Sequence, residues 1–226
     1  ISISGIRGVV GKDLTLRDIL KFSKNFSTLI NSKKCVIATD TRPTGQMIVE
    51  TVKAQLMESG IDVYDLGVAP TPVAFRESRK YGAGIIVTSS HNPIEWNGMK
   101  MIIDGRGINE EQLATVMKEQ NLPKSEIGKE YKIESSYIDD ASKIIGTISD
   151  PPTVTVDIGG GAARGFSSQL LEKVGCNVIT INDEREKSSR GPDPTTDALN
   201  DLITNTKERD IGFAFDLDGD RLVIVI

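Results

Sequence analysis

The sequence predicts an α/β protein built as two consecutive three-layer domains, each a mixed, mainly parallel sheet flanked by helices. Short apolar runs alternate with segments whose apolar residues recur at helical spacing, the pattern that produces parallel or mixed sheets covered by helices. Polar, chemistry-bearing residues follow directly on two of these runs, "AGIIV" before "TSSHNP" and "IGFAF" before "DLDGDR". Between residues 120 and 152 the texture turns polar and Pro-containing, ending in "SDPP", which is the composition of a link between two cores. The expected domains are residues 1–134 and 135–226.

After the opening "SISGIRGVVG", Leu16, Ile19, Leu20, Phe26 and Ile30 recur at helical spacing, and Thr15 with Asp18 has the form of a capping box. "CVIATD" is a buried strand that ends at the loop "TRPTG", and Ile48, Val49, Val52 and Leu56 mark a second amphipathic helix. "IDVYDLG" is extended, "PTPV" begins a short helix with proline in its first turn, and "AGIIVTS" and "GMKMIIDG" are strands. In the linking region a helix is expected around "SSYIDDASKII". The second half repeats the alternation with strand "TVTVDI", turn "GGGAARG", helix "FSSQLLEKVG" and strand "CNVITI". A long loop "NDEREKSSRGPDP" precedes a helix carrying Leu199, Leu202 and Ile203, then strand "IGFAFD". Both "TSSHNP" and "DLDGDR" therefore sit at the C-terminal ends of strands, the edge of an open α/β sheet at which ligands bind.

Composition excludes several function classes. The chain has 226 residues, 38% hydrophobic and 26% charged, and no apolar run approaches the roughly 20 residues that span a bilayer. No membrane role is expected. The net charge of −5 with scattered basic residues argues against nucleic acid, so any anion must be held locally. Cys35 and Cys176 stand in separate strand-like runs without CxxC or Cys/His spacing, which predicts buried core thiols and a reducing, cytoplasmic setting. The chain lacks an initiating Met and stops on "RLVIVI", from which we expect a piece of a larger protein.

In "DLDGDR", Asp216, Asp218 and Asp220 alternate, so a regular strand would point all three to one face, with Gly219 bending the backbone to converge them. Three close carboxylates repel unless a cation sits among them, and a hard ion such as Mg²⁺ takes a few carboxylates plus phosphate oxygens. The EF-hand pattern is not met, since its glycine and closing glutamate fall elsewhere. A solvated acidic turn is the bland alternative. "TSSHNP" holds the only histidine, His91, beside Ser90. There is no GxSxG elbow, and a Ser-His-Asp hydrolase draws its histidine from a separate segment, so a hydrolase is disfavoured. Asn92 and Pro93 also suit a plain turn with a surface histidine. A phosphoserine held against a metal would account for the serine, the carboxylates and the missing base together. "GGGAARG" misses the dinucleotide-binding spacing and reads as a tight strand-to-helix turn.

These motifs resemble those of the α-D-phosphohexomutases, the phosphoglucomutase/phosphomannomutase family. "TSSHNP" is similar to its phosphoserine loop T-A/G-S-H-N-P, and "DLDGDR" to its metal loop D-x-D-G-D-R. "SGIRG" resembles the N-terminal arginine motif, "DTRPTG" the following loop, "WNGMK" the lysine segment, and "GPDP" weakly a proline-containing loop of the second domain. The resemblance implies that Ser90 carries phosphate, and that Asp216, Asp218 and Asp220 with a phosphate oxygen on Ser90 hold Mg²⁺. Lys100 then manages the sugar hydroxyl's proton, Arg7, Lys100 and Arg221 bind phosphate or substrate, and His91 contacts the phosphate or orients the loop. Without that match, Arg7, Lys100 and Arg221 read as surface charge. The implied reaction moves a phosphoryl group between the 1- and 6-positions of a hexose phosphate, with a hexose 1,6-bisphosphate as intermediate and activator. Ser89 stands where the family has Ala or Gly, and Leu217 where a small residue is common. The family has four domains, of which two have no counterpart here, so the isolated chain is expected to be inactive. Two alternatives remain open: a metal-dependent phosphatase or phosphotransferase with Asp216 as nucleophile, and a non-catalytic phosphosugar- or metal-binding module.

Overall fold

Thr15 starts the first long helix as its sequence predicts. In the computed structural model, which describes residues 1–122, 126–206 and 210–226 and only the backbone of Glu186, the Thr15 hydroxyl accepts from Asp18 N–H while the Asp18 carboxylate accepts from Thr15 N–H. Strand β1 (Ile6–Val9) precedes this helix, α1 (Leu16–Ser27). The helix stops three residues before Ile30, where the N–H groups of residues 28–30 turn to carbonyls three residues back and still deliver Ile30 to the core. Then follow β2 (Lys34–Thr39), α2 (Gly45–Glu58), β3 (Asp62–Val68), α3 (Thr71–Tyr81), β4 (Ala83–Val87), β5 (Trp96–Ile103), β6 (Arg106–Gly107), α4 (Glu110–Met117) and β7 (Glu130–Lys132). Helix α3 runs for 11 residues, longer than the short helix expected, from Pro72 in its first turn to Gly82, whose φ of 89° ends it.

These strands form one sheet in the order β1-β5-β4-β2-β3-β7, with β6 beside β5. Strands β4, β2, β3 and β7 are parallel, while β5 runs antiparallel to both β4 and β1. Alternation along the strands makes the layers. Cys35, Ile37, Ile85 and Val87 pack with Ile19, Phe26, Ile48, Val52 and Leu56 of α1 and α2, whereas Val36, Ala38 and Ile86 turn to the other face, where α3 packs on β2 and β4. Strand β7 lies inside the stretch read as linker. Its three polar residues carry no strand signal, and Glu130 is held by Lys53 of α2 at 2.8 Å.

The second half begins with α5 (Tyr137–Ile145) and continues with β8 (Thr153–Asp157), α6 (Phe166–Lys173), β9 (Asn177–Ile181), a 3₁₀ turn at Arg185–Lys187, α7 (Asn200–Asn205), β10 (Ile211–Phe215) and β11 (Leu222–Val225). Its sheet has the order β11-β10-β8-β9, parallel except for β11. Val154 and Val156 face a small core with Ala163, Val174 and Cys176, next to α6. Thr155 points the opposite way and donates to the Asn205 carbonyl of α7, so a helix covers each face. The chain divides into two compact units, Ile1–Ser89 with Ile94–Glu134, and Ser90–Pro93 with Ser135–Ile226. Both cysteines are buried and free. Among the described residues no helix is long and apolar enough to cross a membrane.

Candidate active site

Strand β10 delivers the acidic loop but does not extend through it. The strand ends at Phe215, and Asp216, Asp218 and Asp220 lie in a turn, which corrects the expectation that strand alternation aligns them. Gly219 has φ 68° and its N–H donates to the Asp216 carbonyl at 3.1 Å, so a bend at the glycine, and not strand alternation, brings the carboxylates round. The Asp216 Oδ1 atom accepts from the N–H groups of Asp220 and Arg221 at 3.0 and 3.1 Å. Leu217, between Asp216 and Asp218, is buried.

One carboxylate oxygen from each of Asp216, Asp218 and Asp220 lies within 4.8 Å of the others, with the first two residues buried and Asp220 exposed. Burial, then the charge and hydrogen bond of Asp218 and the charge of Asp220, push the Asp216 carboxyl up to about 7 against the pull of the Arg221 N–H. All-oxygen donors, two of them buried carboxylates, fit a hard divalent cation such as Mg²⁺. A phosphoryl group beside this cluster would add further negative charge, which only a cation can offset.

Ser90 belongs to the same unit. Its backbone is left-handed, with φ 54°, a conformation that costs a non-glycine residue energy and is found where surroundings impose it. The Ser90 hydroxyl donates to Asp216 Oδ2 at 3.0 Å, and its oxygen lies 3.3 Å from His91 Nδ1. His91 Nε2 in turn is 3.4 Å from Arg221 Nη2. The guanidinium of Arg221, which only donates, and the Ser90 hydroxyl thus stand at the two nitrogens of the His91 ring. Arg221, His91, Ser90 and Asp216 form one continuous row of polar contacts. Asp193, in the "GPDP" segment, pairs with Arg221 at 3.5 Å. Ser90, His91, Asp216, Asp218, Asp220 and Arg221 are therefore gathered in one place.

Arg7 and Lys100 lie in the first unit. β1 pairs with β5 so that Arg7 faces Gly98, which puts Arg7 diagonally beside Lys100 on one face of the sheet. Gly98 is required there, because a Cβ would come within 2.1 Å of the Ile6 carbonyl oxygen. Arg7 donates to the Ser4 carbonyl, while its buried Nε makes no hydrogen bond within the described residues.

Several residues around these loops were not assigned roles from sequence. Asp40 and Arg42, inside the quoted "DTRPTG", form a fully buried ion pair at 3.2 Å. Asp40 also accepts from the Thr88 hydroxyl at 2.6 Å, and Arg42 donates to the Trp96 carbonyl at 2.8 Å, so the pair ties the chain just before and just after Ser89–Glu95. Its i, i+2 spacing directly after a buried strand is a readable signal. In the second unit, Arg190 pairs with Asp157 at 3.0 Å, both side chains buried, from a loop where nothing local marks it. The Gly-rich turn lies between β8 and α6, as expected. A Cβ on Gly159, Gly160 or Gly161 would come within 2.7, 2.2 and 2.8 Å of Arg190, Arg185 and Leu217 respectively, so each glycine allows a close approach of the chain in this turn.

The chain matches the descriptions "Phosphoglucomutase/phosphomannomutase, alpha/beta/alpha domain I" over residues 2–124 and "alpha/beta/alpha domain II" of the same family over residues 135–226. It is 38% identical to a probable phosphoglucosamine mutase of Methanosphaera stadtmanae, over 98% of this chain and 53% of that protein. It is 35% identical to a phosphomannomutase/phosphoglucomutase of Pseudomonas putida, over 97% of this chain and 50% of that protein. A crystal structure of a phosphoglucomutase/phosphomannomutase family protein from Burkholderia thailandensis superimposes with a TM-score of 0.83 at 28% identity, covering all of this chain and 55% of that one. The chain spans about half the length of the relatives it matches. Its two α/β units, with their mixed, mostly parallel sheets, and its matches along nearly the whole length place it in the phosphoglucomutase/phosphomannomutase family.

Proposed function

We propose that this chain is the phosphoryl-carrying and metal-binding half of a phosphohexomutase, which exchanges a phosphoryl group between the 1- and 6-positions of a hexose phosphate. The observation that carries the reading is the Ser90 hydroxyl, 3.0 Å from a buried carboxylate of a three-aspartate cluster. A phosphoryl group on that oxygen sits beside the residues that would hold Mg²⁺: Asp216, Asp218 and Asp220. When bound, the cation neutralises charge that develops on the transferred group. Ser90 gives its phosphoryl group to one hydroxyl of the sugar, and the bisphosphosugar returns the other phosphoryl group to Ser90. The Ser90–O bond to phosphorus breaks and re-forms without net hydrolysis. His91, whose Nδ1 lies 3.3 Å from the Ser90 oxygen, is the donor that meets the negative charge left there when the phosphoryl group departs. Arg7 and Arg221 supply donors to phosphoryl oxygens, and Lys100 manages the proton of the sugar hydroxyl. The relatives' names put glucosamine, mannose and glucose phosphates forward as substrates to try first.

An aspartyl nucleophile is disfavoured by the hydrogen bonds of Asp216, whose Oδ1 accepts two N–H groups and whose Oδ2 accepts Ser90. The test incubates the intact protein with hexose 1,6-bisphosphate and Mg²⁺ and maps phosphate by peptide mass spectrometry. Acid-stable phosphate on Ser90, and loss of hexose 1-phosphate turnover in Ser90→Ala, is the expected result. An acid-labile adduct on Asp216, or normal turnover in Ser90→Ala, sinks the proposal.

A further inference from the structure

Arg190 touches none of the three carboxylates, yet its guanidinium closes the strand ends from which they project. Its Nη2 donates to the Phe215 carbonyl at 2.7 Å and to the Asp157 carbonyl at 3.2 Å, and its Nη1 to the Gly191 carbonyl at 3.1 Å. Phe215 and Asp157 are the last residues of the neighbouring parallel strands β10 and β8, and Asp216 follows Phe215 by one peptide bond. The guanidinium is itself fixed by the Asp157 carboxylate, which also accepts from Gly159 N–H at 2.9 Å and Asn182 Nδ2 at 3.1 Å. Space for it exists because Gly159 has no side chain. Opposite, the Ala162 N–H holds the Leu217 carbonyl at 2.8 Å. The backbone entering the acidic loop is thus gripped at Phe215 and again at Leu217, on either side of Asp216.

We propose that Arg190 is a positioning residue for the metal site: it sets the direction in which the chain leaves β10 and so the spacing of Asp216 and Asp218. The inference rests on the reading of Asp216, Asp218 and Asp220 as metal ligands. A planar fork serves this role because one guanidinium reaches two adjacent carbonyls and a carboxylate together. Lysine in its place keeps the charge that Asp157 needs but has no fork to span the two strand ends.

The test measures Mn²⁺ binding to the intact protein by electron paramagnetic resonance, which needs no substrate or turnover. Arg190→Lys is expected to weaken Mn²⁺ binding by roughly ten- to a hundredfold, the usual effect of removing a group that orients metal ligands. The melting temperature of the metal-free protein should fall by only a few degrees, because lysine keeps the pair with Asp157 and loses hydrogen bonds to carbonyls. A double variant, Arg190→Met with Asp157→Asn, removes both charges, so no buried ion is left unpaired, and it should show the same weakened binding. Unchanged Mn²⁺ affinity in either folded variant overturns the proposal, as does weakened binding that is matched by an equal loss of metal-free stability. If the parent itself binds Mn²⁺ no better than Asp216→Asn does, it is the metal reading that fails instead.

Discussion

The two loops proposed to carry the chemistry are flanked by the same device built in two ways. In the first unit, Asp40 and Arg42 stand two residues apart just beyond β2 and tie Thr88 and Trp96, which bracket the serine loop. In the second, Asp157 ends β8 while Arg190 arrives from 33 residues further along the chain, and the pair ties the end of β10. Each site is a strand end whose carbonyls lack ladder partners and must be satisfied away from water. A guanidinium does this with several donors at once, and the buried aspartate balances its charge. The local version needs only a tight turn. The distant version depends on the fold of a long loop and on a glycine turn that leaves room for the side chain, so it is the more vulnerable of the two.

Breaking the local pair should have the largest effect. Arg42→Ala leaves Asp40 buried without its cation and should destabilise the protein by about 3–5 kcal/mol in urea titrations. Mn²⁺ affinity should fall less than in Arg190→Lys, because Arg42 binds Asp40 and the Trp96 carbonyl and not the chain that enters the acidic loop. Equal losses of affinity would erase the distinction between the two anchors.

The second unit should also show a dependence on pH that the Asp40–Arg42 pair does not create. With the Asp216 carboxyl raised from 3.8 to about 7, the folded protein keeps a proton across that window that the unfolded chain releases. Metal-free stability should therefore fall as pH rises through the window, with a slope of up to about 1.4 kcal/mol per pH unit, and level off above it. A divalent cation favours the ionised cluster, so the gain in melting temperature from Mg²⁺ should be larger at pH 8 than at pH 5. Asp216→Asn should flatten the slope, and a slope that persists in that variant would assign it to other groups.

The smallest effect is expected at the glycine turn. Gly159→Ala places a side chain at φ 56° and 2.7 Å from the Arg190 guanidinium, and should cost about 1–2 kcal/mol for the left-handed backbone. Its Mn²⁺ affinity should move in the same direction as in Arg190→Lys. A stability loss without any change in affinity would uncouple the turn from the metal loop.

Much of this could be read in advance. The apolar run "CVIAT" becomes β2 because few other structures bury so many consecutive side chains, the run "IGFAF" becomes β10 with alternating burial, and Thr15 caps α1 through bonds to a residue three positions away. Strands β1, β7 and β11 carry weaker signals, being short or at sheet edges, and β7 forms only where the free edge of β3 meets its polar backbone, whereas α4 was missed although Asn109 and Gln112 form a capping box at its start. "DLDGDR" showed its three carboxylates and its bend at Gly219, yet not that a turn replaces the strand.

The order of the main strands and helices and the types of side chain at the site were set by the sequence itself, because each depends on local periodicity or on residues close in the chain, whereas Ser90–Pro93, expected in the first domain, group with the second unit. Tertiary structure alone decided that Asp216 and Asp218 are buried, that Ser90 donates to Asp216 across 126 positions, and that Arg190 reaches Asp157 and Phe215. Burial and long-range pairing arise only when distant segments exclude water together, and no local pattern of residues records them.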